Sequence, residues 1–153
     1  MTMPQRTRPG IASAALGTLL LAQMAAVGIL LRASQDGVWL LGHPLGGVCW
    51  FQRLTGVPCP TCGMTRSIVL TLNGHLGTAL RLNLAGPVWV LAVATLAVAL
   101  LWLAWRERAP GPDRSPDRSA VARRRVRLLA LAQGALFVVA LATNWIWVLR
   151  ARV

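Results

Sequence analysis

Of 153 residues carrying a net charge of +12, 56% are hydrophobic and only 13% are charged, and the mean hydropathy is +0.58. A soluble domain of this length must cover its surface with polar groups, so the composition excludes one and assigns the apolar excess to lipid. Nucleic acid is not expected as a partner despite the charge, because the arginines gather beside long apolar runs, where membrane topology is set, and not along one polar stripe.

All sixteen basic residues are arginine. Base composition of the gene explains that more simply than selection for bidentate chemistry does.

Residues 1–10 form a tail with Arg6 and Arg8, and residues 11–31 are an uncharged run of 21. That run is close to the ~20 residues needed to cross ~30 Å of hydrocarbon as a helix, and it is the first expected span. A cleaved signal peptide is the weaker alternative: the run exceeds the usual ~7–15 apolar residues, and no small-x-small cleavage site follows it. Residues 84–105 and 128–149 are two further uncharged runs of spanning length, with Pro87 in the first turns of its helix, where proline is tolerated.

Between them, residues 106–127 carry eight arginines around Pro-Gly-Pro-Asp and Ser-Pro-Asp, the composition of a flexible loop. Positive charge marks that loop and the 1–10 tail as cytoplasmic, and places residues 32–83 and the 150–153 tail outside. Trp89, Trp145 and Trp147 then fall at the outer interface and Trp102 and Trp105 at the inner one, as an aromatic belt would. Within the spans, Gln23, Thr95, Gln133 and Asn144, with the small-residue pairs Ser13/Gly17, Ala22/Ala26 and Ala130/Gly134, read as helix-packing devices. No ionisable residue lies in a span, so the usual mark of an ion or proton relay is missing.

The segment 32–83 is too long for a connector and too rich in Gly, Pro, Cys and Trp for disorder. Its apolar stretches, 38–41 and 68–72, are too short to span, which fits interfacial or re-entrant pieces.

Cys59-Pro60-Thr61-Cys62-Gly63 has the form of a metal knuckle: two thiolates grip one ion and the glycine relieves the turn. Zinc needs four ligands, and the nearest further candidates are Cys49, ten residues upstream of Cys59, and His43 or His75. A redox reading is also open. C-x-x-C ahead of a helix lowers a thiol pKa and would make Cys59 and Cys62 catalytic, although no thioredoxin-like alternation of strands and helices surrounds them. A disulfide bracing the loop outside the cytoplasm is the third reading, and it leaves one cysteine over. Thr65 and Arg66 open a short helix that Asn73-Gly74 would stop, and Arg66 suits stabilisation of a thiolate, a lipid phosphate or loop carbonyls.

The stretch from Cys49 to about Pro87 resembles the bacterial membrane-protein family called domain of unknown function 2752. The resemblance rests on Cys49, Thr55-Gly56, the C-P-x-C-G-x-T-R string (Cys59, Pro60, Cys62, Gly63, Thr65, Arg66), Gly74, Ala79 and Asn83. Leu84 departs from the Asn-Pro pair of the family. The resemblance implies a bacterial inner-membrane protein and brings no activity with it. Position 75 varies in that family, which weakens His75 as a ligand.

The expected fold is all-α: three transmembrane helices, with a structured cysteine loop and a short interfacial helix between the first two. The leading expectation for function is a non-enzymatic membrane protein whose Cys49, Cys59 and Cys62 hold zinc or a disulfide. A membrane thiol-disulfide oxidoreductase is the alternative. The lipid bilayer is the expected partner, and the small-residue faces suit a homo-oligomer or an accessory subunit of a larger membrane complex.

Overall fold

A computed structural model describes residues 10–34, 37–45, 49–108 and 116–150. Arg6, Arg8, the Pro-Gly-Pro-Asp centre and residues 151–153 lie outside the described residues. Along the chain run helix α1 (Ile11–Leu30), strands β1 (Leu31–Ala33), β2 (Val38–Leu40) and β3 (His43–Leu45), then helices α2 (Trp50–Thr55), α3 (Met64–Leu72), α4 (Leu76–Leu82), α5 (Ala85–Arg108) and α6 (Pro116–Arg150).

Among the described residues, three stretches are long and apolar enough to cross a bilayer: Ile11–Leu30, Ala85–Arg108 and Ala120–Arg150. In hydrocarbon, backbone groups find no water, and a helix satisfies them within the segment. The fold class is the expected all-α one, with a small sheet added.

Helix α5 is the centre, packed against α1 on one side and α6 on the other. The α1–α5 approach is closest at buried Gly17, where a Cβ would come within 2.9 Å of Leu101 Cγ and 3.0 Å of the Ala97 carbonyl. The pair Ser13/Gly17 therefore does lie at a helix contact. Ala22, Ala26 and Gly134 are exposed, so the other two small-residue pairs make no equivalent contact within this chain. Across the α5–α6 contact, the Gln133 amide donates to Thr95 Oγ1, and Arg123 pairs with Glu107 at 3.1 Å.

The arginine-rich connection differs from the loop expected over 106–127. Helix α5 continues to Arg108 and α6 begins at Pro116, so Arg118 and Arg123 to Arg127 are helical. Proline is favoured at a first helical position and arginine is a good helix former, which together override the turn signal of Ser-Pro-Asp. With 35 residues, α6 is about 52 Å long at ~1.5 Å per residue, well beyond the ~30 Å of hydrocarbon. Its arginine-bearing first turns have room to stand clear of the lipid.

Directly after α1, β1, β2 and β3 form an antiparallel meander in which Leu31 pairs with Leu40 and Val38 with Leu45. The stretch expected at 38–41 as an interfacial or re-entrant piece is thus the central strand and its turn. Leu41 (φ 49) and Gly42 (φ 88) both take left-handed backbone, the requirement of a two-residue hairpin turn. Pro44 sits on the edge strand β3, where its missing N–H costs no ladder bond.

Helices α3 and α4 form a hairpin that stops and reverses at Asn73 and left-handed Gly74 (φ 84). Ser67, Val69 and Leu70 of α3 are buried, and α3 packs on α1, α4 and α5. The 68–72 stretch is therefore a helix buried against protein. Asn73 ties this unit to the end of α1, accepting from Arg32 at 2.6 Å and donating to the Leu31 carbonyl at 3.4 Å.

Candidate cysteine site at the ends of the spans

Cys49 stands at the start of α2, and left-handed Gly56 (φ 70) turns the chain back after one and a half helical turns. The chain then reaches the turn Cys59-Pro60-Thr61-Cys62, closed by Cys62 N–H on the Cys59 carbonyl at 3.0 Å and by Met64 N–H on the Thr61 carbonyl at 3.0 Å. Gly63 (φ 78) releases the chain into α3. Only glycine takes that conformation without penalty.

This path brings all three cysteines together. Cys59 Sγ lies 3.4 Å from Cys49 Sγ and 3.0 Å from Cys62 Sγ, and the three sulfurs all lie within 4.8 Å of one another. Cys59 N–H donates to Cys62 Sγ at 3.3 Å, and Thr61 Oγ1 stands 3.3 Å from Cys59 Sγ. Among the described residues this is the only group of three or more potential metal donors. His43 and His75 are both exposed and do not join it.

The two thiols of the turn are unlike. Burial raises the Cys59 pKa, but hydrogen bonds from Cys62, Thr61 and Cys49 outweigh it and bring Cys59 down to about 7. Burial, together with the shared bonds and the charge of Cys59, pushes Cys62 up to about 12. Of these two thiols, Cys59 is therefore the one more readily deprotonated.

The turn contains proline at 60 and is preceded by Pro58, so it has few N–H groups with which to satisfy its own carbonyls. Donors come from the ends of the spans. Fully buried Asn83, between α4 and α5, donates to the Pro60 carbonyl at 3.2 Å and to the Cys62 carbonyl at 3.1 Å, while its Oδ1 accepts from Ala85 N–H at 2.9 Å. Trp145 Nε1–H of α6 donates to the Pro58 carbonyl at 3.2 Å. Ser67 Oγ–H is shared between the carbonyls of Ala79 and Asn83 at 2.9 and 2.8 Å, locking α3 to α4. Gly86 permits this close approach, since a Cβ there would fall 2.3 Å from Ser67 Oγ.

The departure at Leu84 has a partner. Unlike proline, Leu84 keeps its N–H, which donates to Asn144 Oδ1 of α6 at 3.2 Å. Sequence reasoning treated Asn144 as a packing amide and Trp145 as an interface anchor, and it passed over Ser67 and Thr61. An Asn-Trp pair near the end of an apolar run is the one signal that would have singled out the first two.

Cys49, Cys59, Cys62, Gly63, Thr65 and Arg66 all line one open cleft facing the small sheet. Half-buried Arg66 already has a partner within the protein. Pro60 and Asn83 stand behind the turn and hold its shape.

No curated protein and no solved structure matches the chain. Residues 49–104, from the first cysteine of the cluster through most of α5, match the family model described as Protein of unknown function (DUF2752).

Proposed function

We propose that the chain is a non-enzymatic membrane protein whose cysteine cluster is a three-thiolate centre for a soft divalent ion, zinc first, on the extracytoplasmic face. The observation that carries this reading is the convergence of an odd number of thiols: Cys49, Cys59 and Cys62 lie within 4.8 Å of one another. A disulfide would use two and leave the third beside it, whereas one ion accounts for all three. Ligands at ~2.3 Å in tetrahedral geometry stand roughly 3.7 Å apart, within the spread of this cluster. The ion would brace a loop that has little core of its own, with three thiolates from this chain and its fourth position filled by water.

Metal analysis by mass spectrometry on detergent-purified protein, with a thiol count before and after reduction, tests the reading. About one zinc per chain, lost in Cys59→Ser, supports it; metal-free protein with three free thiols refutes it.

A second reading, thiol-disulfide exchange, is favoured by the central place of Cys59, within 3.4 and 3.0 Å of the other two sulfurs. In that chemistry a substrate disulfide is reduced to two thiols as Cys59 and Cys62 lose two electrons and two protons to form their own disulfide. Two thiols that appear only after reduction, with no metal, would identify Cys59 and Cys62 as a disulfide, and a change in cellular disulfide content in Cys62→Ser would select exchange over a bracing role.

A further inference from the structure

Between the small sheet and the cysteine turn lies an open cleft of about 690 Å³. Sites for small molecules run to ~300–1,000 Å³, so it has room for a ligand and not merely for water. Its walls are unlike. The sheet contributes apolar Trp39 and Leu45, while the opposite side offers Thr61, Thr65 and the cation of Arg66, with no carboxylate among its described lining residues. Arg66 already has a partner within the protein, and a guanidinium carries five N–H donors in a fork, a number that suits more than one acceptor.

The surroundings identify the medium the ligand comes from. Strand β1 follows α1 without a break, and the cysteine turn is held by the start of α5 and the end of α6, so the cleft lies at one face of the three spans. The elements framing it, the β2–β3 hairpin and α2, carry Leu41, Trp50 and Leu54 at 72, 74 and 66% exposure. Large apolar side chains beside the ends of spanning helices belong in the headgroup–acyl boundary, not in water. The elements that frame the cleft therefore carry side chains suited to the lipid boundary.

We propose that this cleft binds an anionic phospholipid taken laterally from the bilayer. Its phosphate sits at Arg66 with Thr61 and Thr65, and its glycerol and first acyl carbons lie along Trp39 and Leu45.

The test is native mass spectrometry of the full chain in dodecyl maltoside. The protein is titrated with dioctanoyl phosphatidylglycerol, with dioctanoyl phosphatidylcholine and with inorganic phosphate. One phosphatidylglycerol is retained per chain, about tenfold more tightly than phosphatidylcholine, while inorganic phosphate leaves no adduct. Arg66→Gln weakens phosphatidylglycerol by about tenfold. Thr65→Glu, on an exposed side chain that tolerates replacement, does the same by like-charge repulsion and carries the test should Arg66→Gln fail to fold. Equal retention of the two lipids, retention unchanged in Thr65→Glu, or inorganic phosphate binding as tightly as phosphatidylglycerol would each overturn the proposal, the last by moving the ligand from bilayer to water.

Discussion

Asn83→Ala should separate the cysteine turn from the membrane helices. The substitution removes three hydrogen bonds at once, to the Pro60 and Cys62 carbonyls and from Ala85 N–H. At about 1 kcal/mol net for each bond the loss is about 3 kcal/mol. Ala85 is fully buried, and leaving its N–H without an acceptor raises the cost toward about 5 kcal/mol. Unfolding in mixed detergent–SDS micelles measures it, with wild-type protein as the reference. Asn83→Asp serves as the informative control: it keeps an acceptor for Ala85 N–H but faces two carbonyls without donors, so its damage concentrates on the turn. A loss below about 1 kcal/mol for Asn83→Ala would refute the reasoning, because it would mean that the turn is held without these bonds.

The pair Leu84 and Asn144 should be coupled: Leu84→Pro and Asn144→Val each cost about 1–2 kcal/mol, and the double variant costs less than their sum, by a double-mutant cycle in the same micelles. Gly86→Ala should destabilise by about 1–3 kcal/mol, since its Cβ would sit 2.3 Å from Ser67 Oγ. Iodoacetamide mapping of reduced, metal-free protein should show Cys59 alkylation rising through a midpoint near pH 7, because the group whose pKa is lowered to about 7 becomes thiolate above that pH. Cys62, pushed up to about 12, should stay unreactive across that range, and equal rates at the two thiols would contradict the assignment.

The three spanning helices were legible because each is an uncharged run of crossing length, a signal that needs no partner to be read. The Gly63 turn and the Asn73-Gly74 stop were legible for a similar reason: both are local backbone requirements. Tertiary features were not. The sheet escaped notice because Val-Trp-Leu-Leu has no alternation of polarity and its turn places a leucine, not an asparagine or aspartate, in the left-handed region. The approach of Cys49 to the C-x-x-C pair depends on how α2 and Gly56 redirect the chain. Asn144 and Trp145 act on partners 60 and 87 residues away in sequence, and an amide or indole in an apolar run is equally consistent with simple packing or anchoring until those partners are known.

The arrangement also explains why a cysteine turn should be built against helix ends. Pro58 and Pro60 supply no N–H, so the turn meets its Cys59 and Thr61 carbonyls from within while those of Pro58, Pro60 and Cys62 take donors from outside it, and a half-buried carbonyl left unmet is costly. Trp145 meets one, and Asn83 meets two. The sulfur positions are thereby tied to the packing of α5 and α6 through backbone groups one bond network away. Closing a disulfide would draw two sulfurs from 3.0 Å to roughly 2.05 Å, whereas a metal would spread them toward roughly 3.7 Å. Either movement would have to be accommodated beside the Cys62 and Pro60 carbonyls, which Asn83 binds while its Oδ1 accepts from Ala85 N–H in the first turn of α5.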